Sequence, residues 1–242
     1  PTKVIYDRRG SAFAELQPGD VPWDEIFRDK HWLHFTGTAP ALSVELLELV
    51  LEGCTAAQQA GLTVSCDLNY RSQLWSIAEA ATAFARIVPL VDVLIANEEH
   101  ARLILGAEVG AKYEGHDPFS SDRYRGQLTA LRRQFDLSHV ALTVRSGNTA
   151  DETRFAAVLD DGRSCAMSRD YRIRVIDRVG AGDAFSGGLI YGLLHGWDVG
   201  RVVEFAAAAG CWKHTVHGDF SHASLDELLA LVEHGQAGRV AR

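Results

Sequence analysis

Cysteine is scarce in this chain of 242 residues, and the four present are Cys54, Cys66, Cys165 and Cys211. Their spacings fit neither a zinc-ligand pattern nor a disulfide framework. Free thiols in a reducing, cytoplasmic compartment are the expectation. Apolar runs of about 18–20 residues, the length needed to cross a bilayer, are also missing, and no signal-peptide pattern opens the chain. No basic stripe is present either. Lys and Arg total 24 against 32 Asp and Glu, a formal net charge of -8, and the densest basic runs are the pairs Arg8-Arg9 and Arg132-Arg133. Duplex-binding proteins are usually basic or carry a basic face. Neither nucleic acid nor a membrane is therefore an expected partner. An anionic substrate stays open, because a few local cations suffice for it. Internal repeats, low-complexity segments and linkers are absent, which predicts one domain over 1–242. The sequence opens at Pro1 with strand-like residues, Lys3-Val-Ile-Tyr6, and not with Met. The expectation is a fold lacking an N-terminal part.

Apolar residues make up 47% and charged residues 23%, enough for a sizeable core. Strand-like and helix-like segments alternate. Strands are predicted at 31–35, 62–66, 91–96 and 140–144, and a hairpin pair at 154–159 and 163–169 about Asp160-Asp161-Gly162. Helices are predicted from Ser43, a candidate N-cap, to about 60, then over 76–88, from 97, and over 121–134, 182–195, 199–214 and 224–234. The segment around Pro18, Gly19 and Pro22 reads as loop. This alternation predicts an α/β fold, a mainly parallel sheet with helices on both faces in three layers. Ligands of such sheets bind beyond the strand carboxyl ends, where polar clusters follow Cys66, Ala96 and Val144.

The segment Val179-Gly-Ala-Gly-Asp183-Ala-Phe-Ser-Gly-Gly188 separates a polar strand end from an apolar helix. Small residues let backbone approach a phosphate, and free N–H groups at a helix N-terminus point at such an anion. A carboxylate beside a phosphate is repelled unless it has a task, and taking a proton from a substrate hydroxyl is one. The competing reading makes Asp183 a simple helix cap and the glycines packing residues. A dinucleotide fingerprint fits poorly, since Phe185 stands where Gly is required and no strand follows. A Walker A loop is excluded, because no Lys follows the glycines at its spacing.

With these residues the chain resembles the PfkB, or ribokinase-like, carbohydrate kinases. Asp177-Arg178-Val179-Gly180-Ala181-Gly182-Asp183 matches their D-T-x-G-A-G-D signature, with Arg178 in place of Thr. The resemblance implies Asp183 as catalytic base, the backbone of Gly180, Ala181 and Gly182 as anion hole, and Asp177 near the nucleotide or a bound cation. Within the family the 2-keto-3-deoxygluconate kinases are the nearest group. Tyr6-Asp7-Arg8-Arg9-Gly10 resembles their sugar-acid grip, Asp67-Leu-Asn69-Tyr70-Arg71-Ser-Gln-Leu74-Trp75 their D-x-N-Y-R-x-x-L-W, and Lys213-His-Thr-Val-His-Gly218-Asp219-Phe220 their K-H-x-x-x-G-D-F. Tyr6, Arg8, Asn69, Arg71 and Gly37 form the implied substrate set. Two guanidiniums suit a carboxylate, which each binds bidentately. The plain alternative for each Arg is a surface or ion-pair role.

The resemblance further implies Arg145, Gly147, Asn97 and Gly210 at the nucleotide. Gly147 alternatively serves an ordinary turn, and the small-residue run Ala206–Gly210 close helix packing. ATP and Mg2+ are the implied cofactors, with a monovalent cation as a further candidate. The family's N-x-x-E reads Asn97-Glu98-Glu99-His100 here, so Glu99, one residue early, is the candidate metal contact through water. His214, His217, Asp219 and His222 fit no zinc pattern. Trp32, Trp75, Trp197 and Trp212 are expected to pack rather than to stack on bases. The expected activity is ATP-dependent phosphorylation of a sugar acid, 2-keto-3-deoxygluconate to its 6-phosphate. The alternatives are a kinase of a neutral sugar (fructose or ribose) or nucleoside, and a nucleotide-binding relic without turnover. Oligomeric state is open, a homo-oligomer included.

Overall fold

The computed structural model describes residues 8, 10–108, 119–146 and 152–234. The chain divides into two compact units, residues 1–94 with 103–106, and residues 95–102 with 107–242.

In the first unit a single turn, α1 (Trp23–Ile26), follows Pro22 where loop was expected. Strand β1 (Trp32–Thr36) leads into helix α2 (Val44–Gln59), whose N-cap is Ser43, as expected, with its hydroxyl accepting from the Leu46 N–H. β2 (Thr63–Asp67) runs parallel to β1 with Thr36 opposite Asp67. Helix α3 (Ile77–Ile87) begins at a capping box. Ser76 accepts from the Glu79 N–H while the Glu79 carboxylate accepts from the Ser76 backbone, so two otherwise orphaned amides are satisfied. A short 3-10 turn, Val88–Leu90, precedes β3 (Val93–Asn97), and the sheet order in this part is β1-β2-β3.

The second unit takes the end of β3 and continues β3-β4-β5-β6, with β7 on β5. Its elements are α4 (Glu98–Leu105, up to Arg102 in this unit), α5 (Ser121–Gln134), β4 (His139–Ser146), β5 (Glu152–Asp160), β6 (Cys165–Met167), β7 (Tyr171–Arg174), α6 (Ala181–Leu194), α7 (Val199–Lys213) and α8 (Leu225–His234). β4, β6 and β7 all pair antiparallel to β5. The sheet is thus mixed, with the predicted hairpin between β5 and β6 turning at Asp160–Gly162. β5 is buried without interruption from Phe155 to Asp160. A strand alternates its side chains between two faces, so unbroken burial requires cover on both. α7 provides it on the Phe155 side, where His214 just after the helix meets the Phe155 ring, and α5 on the other, where Asp160 takes Thr129 and Arg132. α6 and α7 lie close because small residues face each other. A methyl on Gly188 would stand 3.0 Å from the Ala206 Cα. No described helix is long and apolar enough to cross a membrane.

Candidate functional site

The loop after β7 enters α6 through Gly180, which is its N-cap with φ of 77°. That left-handed conformation is costly for any residue bearing a Cβ. Space makes the same demand: a Cβ there would lie 2.1 Å from the Asp219 carbonyl oxygen. No side chain caps α6. The first-turn amides therefore have no side-chain cap: Ala181 N–H makes only a long 3.5 Å bond to the Arg178 carbonyl, and such amides are the groups a helix start offers to an anion. Asp183 lies in that turn, exposed and without a hydrogen bond or ion pair among the described residues. The reading of Asp183 as helix cap does not hold, because Gly180 occupies the cap and the carboxylate bonds no amide.

Asp177 fixes the loop from below. Its Oδ1 accepts from the Val179 N–H at 3.0 Å and its Oδ2 from the Gly218 N–H at 2.9 Å. These two amides, with the Lys213 charge, hold its carboxyl below the usual carboxylate range. Asp177 thus ties the phosphate-loop candidate to a turn 41 residues later. That turn is itself anchored, since the His214 carbonyl accepts from both the Ile176 and Asp177 amides. The His214 ring is fully buried, donates from Nδ1 to the Gly210 carbonyl at 2.7 Å, and leaves Nε2 without a partner. Burial pushes its pKa down to about 4, and the charges of Arg145, Arg178 and Lys213 add to the effect. The Lys213 side chain is also fully buried, with its Nζ donating to the Val216 carbonyl at 3.0 Å. A cleft of about 650 Å³ borders this turn, lined by Arg174, Val175, Ile176 and Thr215. The sequence reading missed these four, although three of them lead directly into Asp177.

The other predicted nucleotide residues fare differently. Arg145 is exposed near the end of β4, its guanidinium 5.4 Å from the centre of the Phe155 ring. Asn97 ends β3 and caps α4, its Oδ1 accepting from the His100 N–H at 2.7 Å. Gly210 is buried, and a Cβ on it would stand 3.2 Å from the Ala181 carbonyl and 3.3 Å from the Phe185 Cβ. Its visible role is the alternative one, close packing of α7 on α6. Glu98 is engaged, accepting from Tyr124 Oη at 3.0 Å and Arg123 at 3.2 Å. Glu99 is exposed with no partner among the described residues, so of these two carboxylates it is the one available. No group of three or more His, Cys, Asp or Glu among the described residues forms a metal cage. Magnesium suits such a setting, since it keeps waters and binds through substrate phosphates with one or two carboxylates.

In the first unit three of the five predicted substrate residues, Gly37, Asn69 and Arg71, follow the carboxyl ends of β1 and β2. Gly37 donates its N–H to the Asp67 carbonyl at 2.8 Å, and a Cβ on it would fall 2.2 Å from the Leu68 carbonyl oxygen. Asn69 adopts a φ of 33°, a region Asn tolerates better than most, and donates from Nδ2 to Thr36 Oγ1 at 2.9 Å. Arg71 is exposed and has no partner among the described residues. Trp75 packs on Phe84, which closes on Gly37, so this tryptophan is a packing residue as expected. Arg8 is half-buried. Tyr6 and Gly147 lie outside the described residues.

Residues 2–224 match the pattern of the pfkB family carbohydrate kinases. The 2-dehydro-3-deoxygalactonokinase of Haloferax volcanii is 32% identical over 238 residues, 98% of this chain and 68% of that protein. The crystal structure of 2-dehydro-3-deoxygluconokinase from Thermotoga maritima is 38% identical with a TM-score of 0.89, covering 96% of this chain and 70% of that one. Aminoimidazole riboside kinase from Salmonella enterica, complexed with its riboside and an ATP analog, shares the fold at 23% identity with a TM-score of 0.63, covering 83% of this chain and 62% of that one. The chain spans about two thirds of the length of the curated relatives it matches.

Proposed function

The chain belongs to the pfkB family of carbohydrate kinases, and on that premise we propose that it carries out ATP-dependent phosphorylation of a sugar acid, 2-keto-3-deoxygluconate (2-dehydro-3-deoxygluconate) or its C4 epimer. One observation supports the reaction above the rest: an exposed, unpaired Asp183 in the first turn of an uncapped helix. In this reading Asp183 takes the proton of the terminal, C6 hydroxyl as that oxygen forms a bond to the γ-phosphorus. The bond from that phosphorus to the β-γ bridging oxygen breaks, and ADP leaves. The amides at 180–182 hold the charge of the transferred group, and a nearby guanidinium, Arg178 or Arg145, offsets nucleotide charge. Magnesium, when bound with the nucleotide, would supply further neutralisation of phosphate charge, and Glu99 is the carboxylate assigned to meet it through water. The cleft beside Arg174–Ile176 and Thr215 is assigned to the nucleotide.

Arg71 supports the sugar-acid reading. It follows the strained Asn69 turn and presents an uncommitted guanidinium, and such a group binds a carboxylate in a way a neutral sugar does not call for. Named relatives acting on 2-dehydro-3-deoxy sugar acids add to it. The free thiols go with a cytoplasmic setting for this chemistry. The test is a coupled ADP-release assay over 2-keto-3-deoxygluconate, its galactonate epimer, fructose, ribose and a nucleoside. Turnover on the two acids alone is expected. Preference for fructose or ribose removes the assignment, and ADP binding without turnover on any acceptor leaves a nucleotide-binding protein.

A further inference from the structure

Two residues expected to touch the sugar, Gly37 and Asn69, have donors committed to the protein itself. The Gly37 N–H is spent on the Asp67 carbonyl, and the missing Cβ lets the Leu68 carbonyl lie against the end of β1. Asn69 donates from Nδ2 to Thr36 Oγ1 at 2.9 Å, and from its backbone N–H to Asp67 Oδ1 at 3.1 Å. Thr36 and Asp67 are themselves partners across the two strands. Asn69 holds this place with a φ of 33°. Strain of this kind persists where the surroundings fix it.

Arg71 lies two residues further on. Its carbonyl accepts the Leu74 N–H at 2.9 Å, and the Tyr70 hydroxyl donates to the Trp75 carbonyl at 3.2 Å. The turn bearing Arg71 is thus closed on its far side as well. A guanidinium grips a carboxylate bidentately only over a narrow range of approach. An arginine has a long stem with many rotamers, so its bearing has to come from the backbone beneath it.

We propose that Thr36 and Asn69 are a pair of positioning residues, a latch across the ends of β1 and β2 that aims Arg71, with the Asn69 carboxamide holding the turn instead of the sugar. The proposal rests on the reading of Arg71 as the contact for the sugar acid's carboxylate. When the latch is broken from either side, the strained Asn69 backbone relaxes and Arg71 loses its fixed direction. An Asn69 that touched the sugar would make the opposite demand, for Thr36 would then not matter to the acid's affinity.

Calorimetric titration of 2-keto-3-deoxygluconate into the full chain tests this, with Mg2+ and ADP titrated separately, in the wild type, Thr36→Val, Asn69→Ala and the double variant. Valine keeps the branched shape on the strand and removes the acceptor. Each single substitution is expected to weaken acid binding about tenfold. The double variant should lose about tenfold as well, and not about a hundredfold, because both changes break the same bond. The Kd for ADP is expected to stay at its wild-type value throughout, which a general loss of structure would not allow. Asn69→Gly accepts a positive φ without the bond to Thr36. It should recover part of the affinity lost in Asn69→Ala, and it takes that variant's place if the Ala protein does not fold. Wild-type affinity for the acid in Thr36→Val overturns the proposal. So does a loss of about a hundredfold in the double variant, which marks two independent contributions. Failure of the wild type to bind the acid removes the sugar-acid reading and this proposal with it, whereas binding that is indifferent to Thr36 leaves that reading standing.

Discussion

Acid should destabilise this protein through one identifiable residue. His214 is fully buried, its Nδ1–H is committed to the Gly210 carbonyl, and its pKa lies near 4 against an ordinary 6.5. A lowered folded-state value means the unfolded chain binds the proton first. Stability from this group is complete above pH 6.5 and is lost as pH falls toward 4. Between pH 7.5 and pH 5 the loss works out to about 2 kcal/mol for this one imidazole. His214→Gln keeps a donor for Gly210 and cannot titrate. Urea unfolding followed by tryptophan fluorescence gives the stability of both proteins at the two pH values. The variant's deficit at pH 7.5, whatever its size, should shrink or reverse by about 2 kcal/mol at pH 5, with all other carboxylates and histidines cancelling in the comparison. A gap between the proteins that stays constant over this range refutes the argument, for it means that the ring charges in place.

Three other outcomes follow from the site. Asp183→Asn should lower turnover by at least about a thousandfold while the Kd for ADP changes little, because the amide keeps the shape and cannot accept the proton; retained turnover in the ADP-release assay removes the base assignment. Arg71→Ala should raise KM for a sugar acid far more than for a neutral sugar, and equal effects on both point away from a carboxylate. Gly180→Ala should cost about 1–2 kcal/mol for the left-handed backbone alone, with more from the collision with the Asp219 carbonyl; an unchanged urea midpoint contradicts the geometry described.

The parts of this structure that could be read in advance are those encoded locally. Ser43 announces α2, strand edges fall within a residue or two, and Gly180 in its motif predicts the uncapped helix start. Among the short elements that went unread are α1 and β7. α1 is a single turn behind Pro22, too short for any periodic signal. β7 did carry one, since Tyr171 and Ile173 alternate with Arg172 and Arg174 and are the buried pair, but four residues beside a hairpin are easily absorbed into it. The sequence also could not say which glutamate of Glu98-Glu99 is committed. That depends on Arg123 and Tyr124, some twenty-five residues away. His214 was weighed with His217, Asp219 and His222 as a metal cluster and Lys213 read as part of a motif, and only the packing of α7 on β5 and α6 buries the two. Tertiary neighbours decide these cases, and no local pattern records them.

The closeness of the Asp219 carbonyl to Gly180 has a consequence for recognising such chains by motif. A polypeptide ending just after α7 would still contain all seven residues from Asp177 to Asp183. It would have lost the backbone that braces them, the Gly218 amide on one side and the Asp219 oxygen on the other. A seven-letter match can therefore survive in a gene fragment whose product has no shaped cradle, and the segment to inspect when judging such fragments is the one around residue 218.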